Sequence, residues 1–217
     1  MLTVLYEDNH CLAVNKPARL LTMGDSTGDE SLVDQAREYI RHKYQKPGQV
    51  YVGVVHRLDR PVSGVVLLAR TSKGASRLSE QFRAGSVGKV YQALVTGPAP
   101  AETETWRDWL LKDEARNMVR CVVAGTPQAR ESVLTCRLLQ RRGARSLVEV
   151  TPLTGRSHQI RVQLAQHQLP IVGDAKYGST EAFREGCIAL HASSLTFQHP
   201  TRDEAITVTA PLPDFWR

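Results

Sequence analysis

The chain has 217 residues, of which 41% are hydrophobic and 23% charged, a composition typical of a globular protein with a sizeable core. Its formal net charge is +6 at pH 7, which favours an acidic partner, and nucleic acid is the commonest one. No apolar run approaches the roughly 18 residues of a membrane span, and no basic leader precedes the first strand. We therefore expect a cytoplasmic protein without membrane contact.

The cysteines point to the same compartment. The chain has four, widely spaced and without a C-x-x-C pair, so the pattern predicts neither a zinc site nor a disulfide framework. We expect reduced, partly buried thiols, as in cytosolic proteins. They are Cys11, Cys121, Cys136 and Cys187.

The first third of the chain predicts two strands and a helix. Strands are expected at residues 2–6 and 11–14, the second followed by Asn-Lys-Pro. Ser31 is a helix N-cap, and an apolar stripe continues to about Tyr44. Lys16, at the end of the second strand, has two equally weighted interpretations: a contact to a phosphate, or a solvated strand end.

Residues 56–64 read H-R-L-D-R-P-V-S-G and lie between two apolar runs, 50–55 and 64–69, that predict buried strands. Bringing ionisable side chains this close to a core carries a desolvation cost. The simplest explanation is a polar turn with a structural Asp–Arg pair; the alternative is a functional carboxylate at Asp59.

Later segments predict a helix, three strands and a second helix. Ser72 is expected to cap a helix that ends before Gly85, and residues 89–97 alternate as a strand with Tyr91 on one face. Strands at 132–139 and 146–150 are joined by a basic turn, 141–145, that either contacts RNA phosphates or is a soluble hairpin tip.

The segment 154–161 reads T-G-R-S-H-Q-I-R and predicts the start of a helix. Ser157 is expected to cap it, with the helix running to about Gln168. Because a cation in the first helical turn opposes the macrodipole, Arg161 should have an anion nearby.

Three of these segments, in this order, resemble the signature motifs of the RluA-type pseudouridine synthases. Residues 56–64 resemble H-R-L-D-x-x-T-S-G, with Val62 in place of Thr; residues 89–97 resemble K-x-Y-x-A-x-V-x-G; and residues 154–161 resemble T-G-R-S-H-Q-I/L-R. The resemblance covers nearly the whole chain. It implies an α+β fold, with a mixed, mostly antiparallel β-sheet, flanking helices and a central active-site cleft.

The resemblance also implies one catalytic domain, residues 1–217, with no room for an S4-type RNA-binding domain ahead of it. It implies a hairpin over residues 103–123, where Trp106, Trp109 and the charged run that follows indicate a rim rather than a core.

For the site, the resemblance implies a catalytic Asp59, with Arg161 beside it and Tyr91 against the uracil. Arg57 matches the arginine associated with the flipped nucleotide. Other expected RNA-binding residues are Arg60, Arg156, Gln159 and Lys16, whereas His56 and His158 are treated as structural. The reaction is redox-neutral, and no glycine-rich cofactor loop or His-x-x-His pair is present, so we expect neither cofactor nor metal.

The resemblance thus implies an RNA pseudouridine synthase, an isomerase acting on specific uridines of rRNA or tRNA. We expect RNA as its partner and a monomeric protein. Two alternatives stay open at this point. One is a non-catalytic RNA-binding protein on the same scaffold. The other is a glycosidase, which would normally need two carboxylates flanking the bond, whereas only Asp59 lies in a suitable motif.

Overall fold

The computed structural model describes residues 2–216, and within them the chain divides into two compact units. The first unit contains the residues up to Gly88 together with those from Ala192 onward. The second unit is Lys89–His191.

Over the described residues the chain forms eleven strands and three α-helices. The strands are β1 (Thr3–Glu7), β2 (Cys11–Lys16), β3 (Gly53–Val54), β4 (Ser63–Ala69), β5 (Gly88–Thr96), β6 (Glu104–Asp113), β7 (Met118–Val122), β8 (Arg130–Arg142), β9 (Arg145–Pro152), β10 (Leu190–Gln198) and β11 (Ala205–Thr209). The helices are α1 (Leu32–Tyr44), α2 (Ser72–Ala84) and α3 (Gln159–Gln166), and short 3-10 turns cover Ala175–Tyr177 and Asp214–Trp216.

Strand pairing within each unit is mainly antiparallel. In the first unit the order is β1-β2-β4-β10, with β11 beside β10 and β3 beside β4; in the second it is β5-β9-β8-β6-β7. The pairs β1–β2, β2–β4, β5–β9, β6–β8 and β8–β9 are antiparallel, and a parallel bridge joins Leu21 to Ser31. With helices packed on these strands, the predicted α+β fold is confirmed.

The core of the first unit lies on β2 and β4. All seven residues of β4 are buried, as expected for a continuous apolar run with both faces covered. The predicted strand 50–55 is shorter than expected, since β3 has two residues. One edge of β4 is occupied by β2, so β3 and β10 must share the other, which leaves β3 only Leu68 and Ala69 to pair with.

A glycine allows β4 and β10 to approach closely. Gly64 has φ +118°, and a Cβ placed there would lie 2.2 Å from the carbonyl oxygen of Ala192. No L side chain fits at this position without moving a backbone.

Helix ends agree with the sequence in one case and differ in another. The Ser31 hydroxyl accepts from the Asp34 N–H, and the Asp34 carboxylate accepts in return from the Ser31 N–H, which is the capping box expected before α1. For α2 the predicted cap is wrong by one residue: Thr71, not Ser72, accepts from the Gly74 N–H.

In the second unit the hairpin β6–β7 confirms the predicted one, but its assignment to a rim is wrong for Trp106. That side chain is 7% exposed, and its ring stacks on His167 at a centroid distance of 4.0 Å. A small core of Leu110, Val119, Val162 and Tyr177 joins this hairpin to α3.

The start of α3 also differs from the prediction. Its N-cap is His158, in a left-handed conformation with φ 51° and without a side-chain cap, and the helix ends at Gln166. Ser157 does not cap it because the loop is held differently: the Gln159 side-chain carbonyl accepts from the Arg156 N–H at 3.0 Å. The side-chain amide of Gln159, from within the helix, thus accepts the backbone hydrogen bond at the helix start that the Ser157 hydroxyl was expected to accept.

Candidate active site

The loop between β3 and β4 carries the first motif, and its backbone is held by residues distant in sequence. Leu58 is buried, and the Thr22 hydroxyl donates to its carbonyl at 2.8 Å and accepts from its N–H at 3.2 Å. The Asp59 carbonyl accepts from the Val62 N–H at 3.0 Å, which closes a turn. Val62 is 3% exposed, so the methyl group that replaces the usual threonine hydroxyl is shielded from water.

Lys16 fits neither of its two predicted interpretations. Its side chain is fully buried, and Nζ donates to the carbonyls of Pro17 at 3.0 Å, Leu20 at 2.7 Å and Arg60 at 3.3 Å. The ammonium is therefore neither at a solvated strand end nor available to an RNA phosphate. The prediction of Lys16 as an RNA contact is wrong; the residue holds the loop on the C-terminal side of Asp59.

With the backbone fixed, the charged side chains of the loop remain accessible. Asp59 is half-buried and Arg57 is exposed. Arg60 is exposed and partly engaged, because its guanidinium donates to Asp29 at 2.6 Å and to the Arg19 carbonyl at 3.0 Å. Such an exposed ion pair stabilises little and can be exchanged for a phosphate contact.

His56 has contacts that suit the expected structural role. Its Nε2 accepts from the Leu67 N–H at 2.8 Å, and its ring stacks on Phe82 at a centroid distance of 4.5 Å. Accepting through Nε2 requires that this nitrogen carry no proton.

In the second unit, Arg161 has the anion that its position required. The guanidinium makes two parallel hydrogen bonds with Asp174, Nε to Oδ2 at 2.7 Å and a terminal nitrogen to Oδ1 at 2.8 Å. Arg161 is 6% and Asp174 1% exposed, and the Tyr177 ring lies 5.0 Å from the guanidinium carbon. This fork fixes the orientation of a charge that burial would otherwise destabilise.

Gln159 holds the second-unit motif together from inside. It is 4% exposed; Oε1 accepts from the Thr154 hydroxyl at 2.8 Å as well as from Arg156, and Nε2 donates to the Val133 carbonyl at 3.1 Å. Since the amide is buried and occupied by protein, the prediction that Gln159 contacts RNA is wrong. Arg156 is exposed, and its guanidinium donates to the Glu131 carbonyl at 3.2 Å; its predicted RNA contact stays a prediction.

The second motif lies on β5. Tyr91 is half-buried and pairs with Val150 of β9. Lys89, two residues earlier, lies on the same face of the strand, because side chains alternate along a strand. Burial lowers the pKa of the Lys89 ammonium below its ordinary value.

One group of side chains has the composition of a metal site. Ligand atoms of Asp8, Cys11 and His199 lie within 4.8 Å of one another. Yet the Asp8 carboxylate already accepts from the N–H groups of His10 and Cys11, both at 2.7 Å, and from Tyr6, and it contacts His199 Nε2 at 2.6 Å.

The protonation states explain this group as a hydrogen-bond network. Burial raises the pKa of Asp8, but the hydrogen bonds from His10 and Cys11 outweigh it and lower that pKa to about 2. Burial raises the pKa of the Cys11 thiol to about 12, which disfavours the thiolate that a metal needs.

Sequence reasoning missed several residues that organise these segments. They are Thr22, Thr154, Asp174 and Tyr177. The signal that the sequence offered was the need of Arg161 for an anion nearby.

The chain matches the family model described as RNA pseudouridylate synthase over residues 10–166. It is 35% identical over 216 residues to "Ribosomal large subunit pseudouridine synthase C" of Buchnera aphidicola subsp. Baizongia pistaciae, covering 96% of this chain and 66% of the relative. It is 32% identical over 219 residues to the protein of the same name from Escherichia coli K12, covering 97% and 66%. The chain thus spans just under two thirds of the length of these curated relatives.

Solved structures agree on the fold. "Human RNA Pseudouridylate Synthase Domain Containing 4" superposes with a TM-score of 0.82 at 23% identity, covering 99% of this chain and 90% of that one. "Human RNA Pseudouridylate Synthase Domain Containing 1" gives a TM-score of 0.77 at 25% identity, covering 97% and 83%.

Proposed function

The chain belongs to the RNA pseudouridylate synthase family, and from this membership we propose that it isomerises specific uridines in RNA to pseudouridine. Relatives at 32–35% identity carry the name ribosomal large subunit pseudouridine synthase, which favours rRNA over tRNA as the substrate. The RluA-type resemblance of the three motifs points to the same activity.

The observation that carries the proposal is the state of the 56–64 loop. Its backbone is held by Thr22 and by the buried ammonium of Lys16, while Asp59 is half-buried and Arg57 is exposed. A carboxylate on a fixed backbone, partly sheltered from water and next to an exposed guanidinium, suits chemistry on a bound nucleotide better than a purely structural turn does.

We infer that Asp59 acts at the sugar when the N1–C1′ bond of uridine is cut and the base is rejoined through C5. A carboxylate can serve there as nucleophile or as acid/base. The base cannot react inside a stack and has to be extruded first, at an expense of a few kcal/mol. The exposed, planar guanidinium of Arg57 suits the stacking that holds an extruded nucleotide.

Arg161 and Tyr91 complete the proposed chemistry. We propose that Arg161 is the basic residue that assists the reaction at Asp59. Its fork with Asp174 would keep that charge in one orientation. Tyr91 would lie against the uracil and assist proton transfer. Arg60 and Arg156 would contact RNA phosphates.

The broader assignments are also proposals. We infer that both units form one catalytic domain and that the protein acts as a cytoplasmic monomer with RNA as its partner. No helix within residues 2–216 has the length and apolar character needed to cross a membrane.

The proposal is tested with Asp59→Asn on RNA labelled with 5-³H-uridine, in which pseudouridine formation releases tritium. We expect the wild type to release tritium. Turnover of the variant should fall by about 10²–10⁴-fold, because an amide cannot act as nucleophile or base. Circular dichroism and RNA affinity should be unchanged. Full turnover by the variant would exclude Asp59 as the catalytic residue. If the wild type binds RNA without releasing tritium, the protein is a non-catalytic RNA binder. Release of free uracil would indicate a glycosidase.

A further inference from the structure

The side chain of Lys89 carries a positive charge that residues 2–216 do not neutralise. Lys89 is half-buried at the start of β5. Among residues 2–216 its side chain has no hydrogen-bond acceptor and no carboxylate in ion-pair distance, and burial alone accounts for the lowered pKa of the group. A half-buried charge without a counter-ion is unfavourable, so its presence calls for a ligand that supplies the negative charge.

Two carboxylates on the neighbouring strands β8 and β9 are not counter-ions for Lys89. Glu149 of β9 lies opposite Gln92, so strand alternation places it on the other face from Lys89 and Tyr91, and it is bound to Arg137 at 2.8 Å. Glu131 of β8 pairs with Arg107. Neither of these carboxylates is therefore a counter-ion for Lys89.

A glycine opens the space in front of the ammonium. Apart from the flanking residues, a Cβ added to Gly155 would have one neighbour within 4 Å among residues 2–216, Lys89 Nζ at 3.8 Å. The loop that contains Gly155 is fixed by the Gln159 amide, which accepts from the Arg156 N–H at 3.0 Å. The next side chain, Arg156, is exposed. Two cations thus flank a small, open stretch of rigid backbone.

We propose that Lys89 and Arg156 form, with the backbone at Gly155, a subsite for an RNA phosphate next to the target nucleotide. This inference rests on the proposed function, because it places the phosphate relative to the uracil at Tyr91. Residues two apart on a strand are separated by about 7 Å, which is on the scale of one nucleotide. A phosphate at Lys89 would therefore fit the backbone of the nucleotide whose base lies at Tyr91.

The test measures binding of a short oligouridylate in the Asp59→Asn background, where no turnover occurs, over a range of salt concentrations. Lys89→Met should weaken binding roughly tenfold, since a hydrogen bond to a charged group is lost. It should also lower the slope of log affinity against log salt by about 0.7, the value for one phosphate contact on a single strand. Lys89→Arg should restore most of the slope, and Arg156→Ala should lower it as Lys89→Met does.

Two controls separate a phosphate contact from other roles. Lys73→Met removes an exposed lysine of α2 and should leave the slope unchanged; an equal loss would mean that only net charge matters and would overturn the proposal. The Tm of Lys89→Met should be no lower than that of the parent, because the substitution removes an uncompensated charge. A lowered Tm with an unchanged slope would make Lys89 a structural residue, and absence of salt-dependent binding by the parent would also overturn the subsite.

Failure of this inference is distinguishable from failure of the proposed function. Tritium release by the wild type decides the isomerase activity, whereas the salt slope in the inactive background decides the subsite. An active enzyme with an unchanged slope would retain the function and lose only the phosphate subsite.

Discussion

The first and third motifs place charged groups in opposite ways. In the 56–64 loop the backbone is held from outside the motif, by Lys16 and Thr22, and the side chain of Arg57 is exposed. In the 154–161 segment the side chains themselves are buried: Gln159 holds the loop, and Arg161 is locked to Asp174.

This difference in how the two motifs hold their charged groups indicates that the motifs have different tasks. A motif that contacts a substrate needs a rigid backbone with free side chains, whereas a motif that supplies a fixed charge needs a rigid side chain. Substitutions of the anchors should therefore destabilise the protein, and substitutions of the exposed groups should affect turnover without affecting stability.

The largest effect on stability is expected for Asp174→Asn. The substitution leaves the guanidinium of Arg161 buried beside a neutral amide, which should lower the free energy of unfolding by about 3–5 kcal/mol in urea denaturation. The matched control is Glu149→Gln, which alters the more exposed Arg137–Glu149 pair and should lower it by about 0–1 kcal/mol. Similar losses in the two variants would contradict the anchoring role of Asp174.

A smaller loss is expected for Lys16→Met. The carbonyls of Pro17, Leu20 and Arg60 would lose their donor, at about 1–3 kcal/mol in unfolding free energy. Turnover should also fall, because the Arg60 carbonyl lies one residue from Asp59. Lys46→Met, at an exposed lysine, should stay within about 0.5 kcal/mol of the wild type and keep its turnover. A stable Lys16→Met variant would show that the loop needs no such anchor.

The smallest effect on stability is expected for Arg57→Ala, within about 0.5 kcal/mol, because the side chain is exposed. If the guanidinium stacks on the extruded nucleotide, tritium release should show kcat/KM reduced about tenfold or more. Arg120→Ala, another exposed arginine, serves as the control and should leave kcat/KM unchanged. Loss of stability in Arg57→Ala would place this residue among the anchors instead.

Much of the fold was predictable because its signals are local. The apolar run of β4 and the Ser31–Asp34 cap of α1 are readable from neighbouring residues, and both are confirmed. The shortness of β3 was not predictable, since it depends on β10, which takes part of the same edge of β4 from the far end of the chain.

The candidate site was predictable only in its residue types. The resemblance supplied Asp59, Tyr91 and Arg161, whose roles stay predictions. Burial of Lys16 was missed because its partners are backbone carbonyls, and every residue has one. Burial of Gln159 was missed because one of its partners, the Val133 carbonyl, lies 26 positions away along the chain. The carbonyl of Arg60 lies 44 positions from Lys16 along the chain, and nothing in the sequence marks it as the acceptor.

The close approach of β4 and β10 at Gly64 explains one residue of the first motif in structural terms. A Cβ at that position would collide with the Ala192 carbonyl, so the residue is required by the spacing of β4 and β10 and not by chemistry on a nucleotide. A homologous chain that kept the aspartate but carried a larger residue there would have to separate these two strands. Asp59 and Arg57 can be examined for reactivity and substrate contact, whereas Gly64 reflects the distance between two strand backbones.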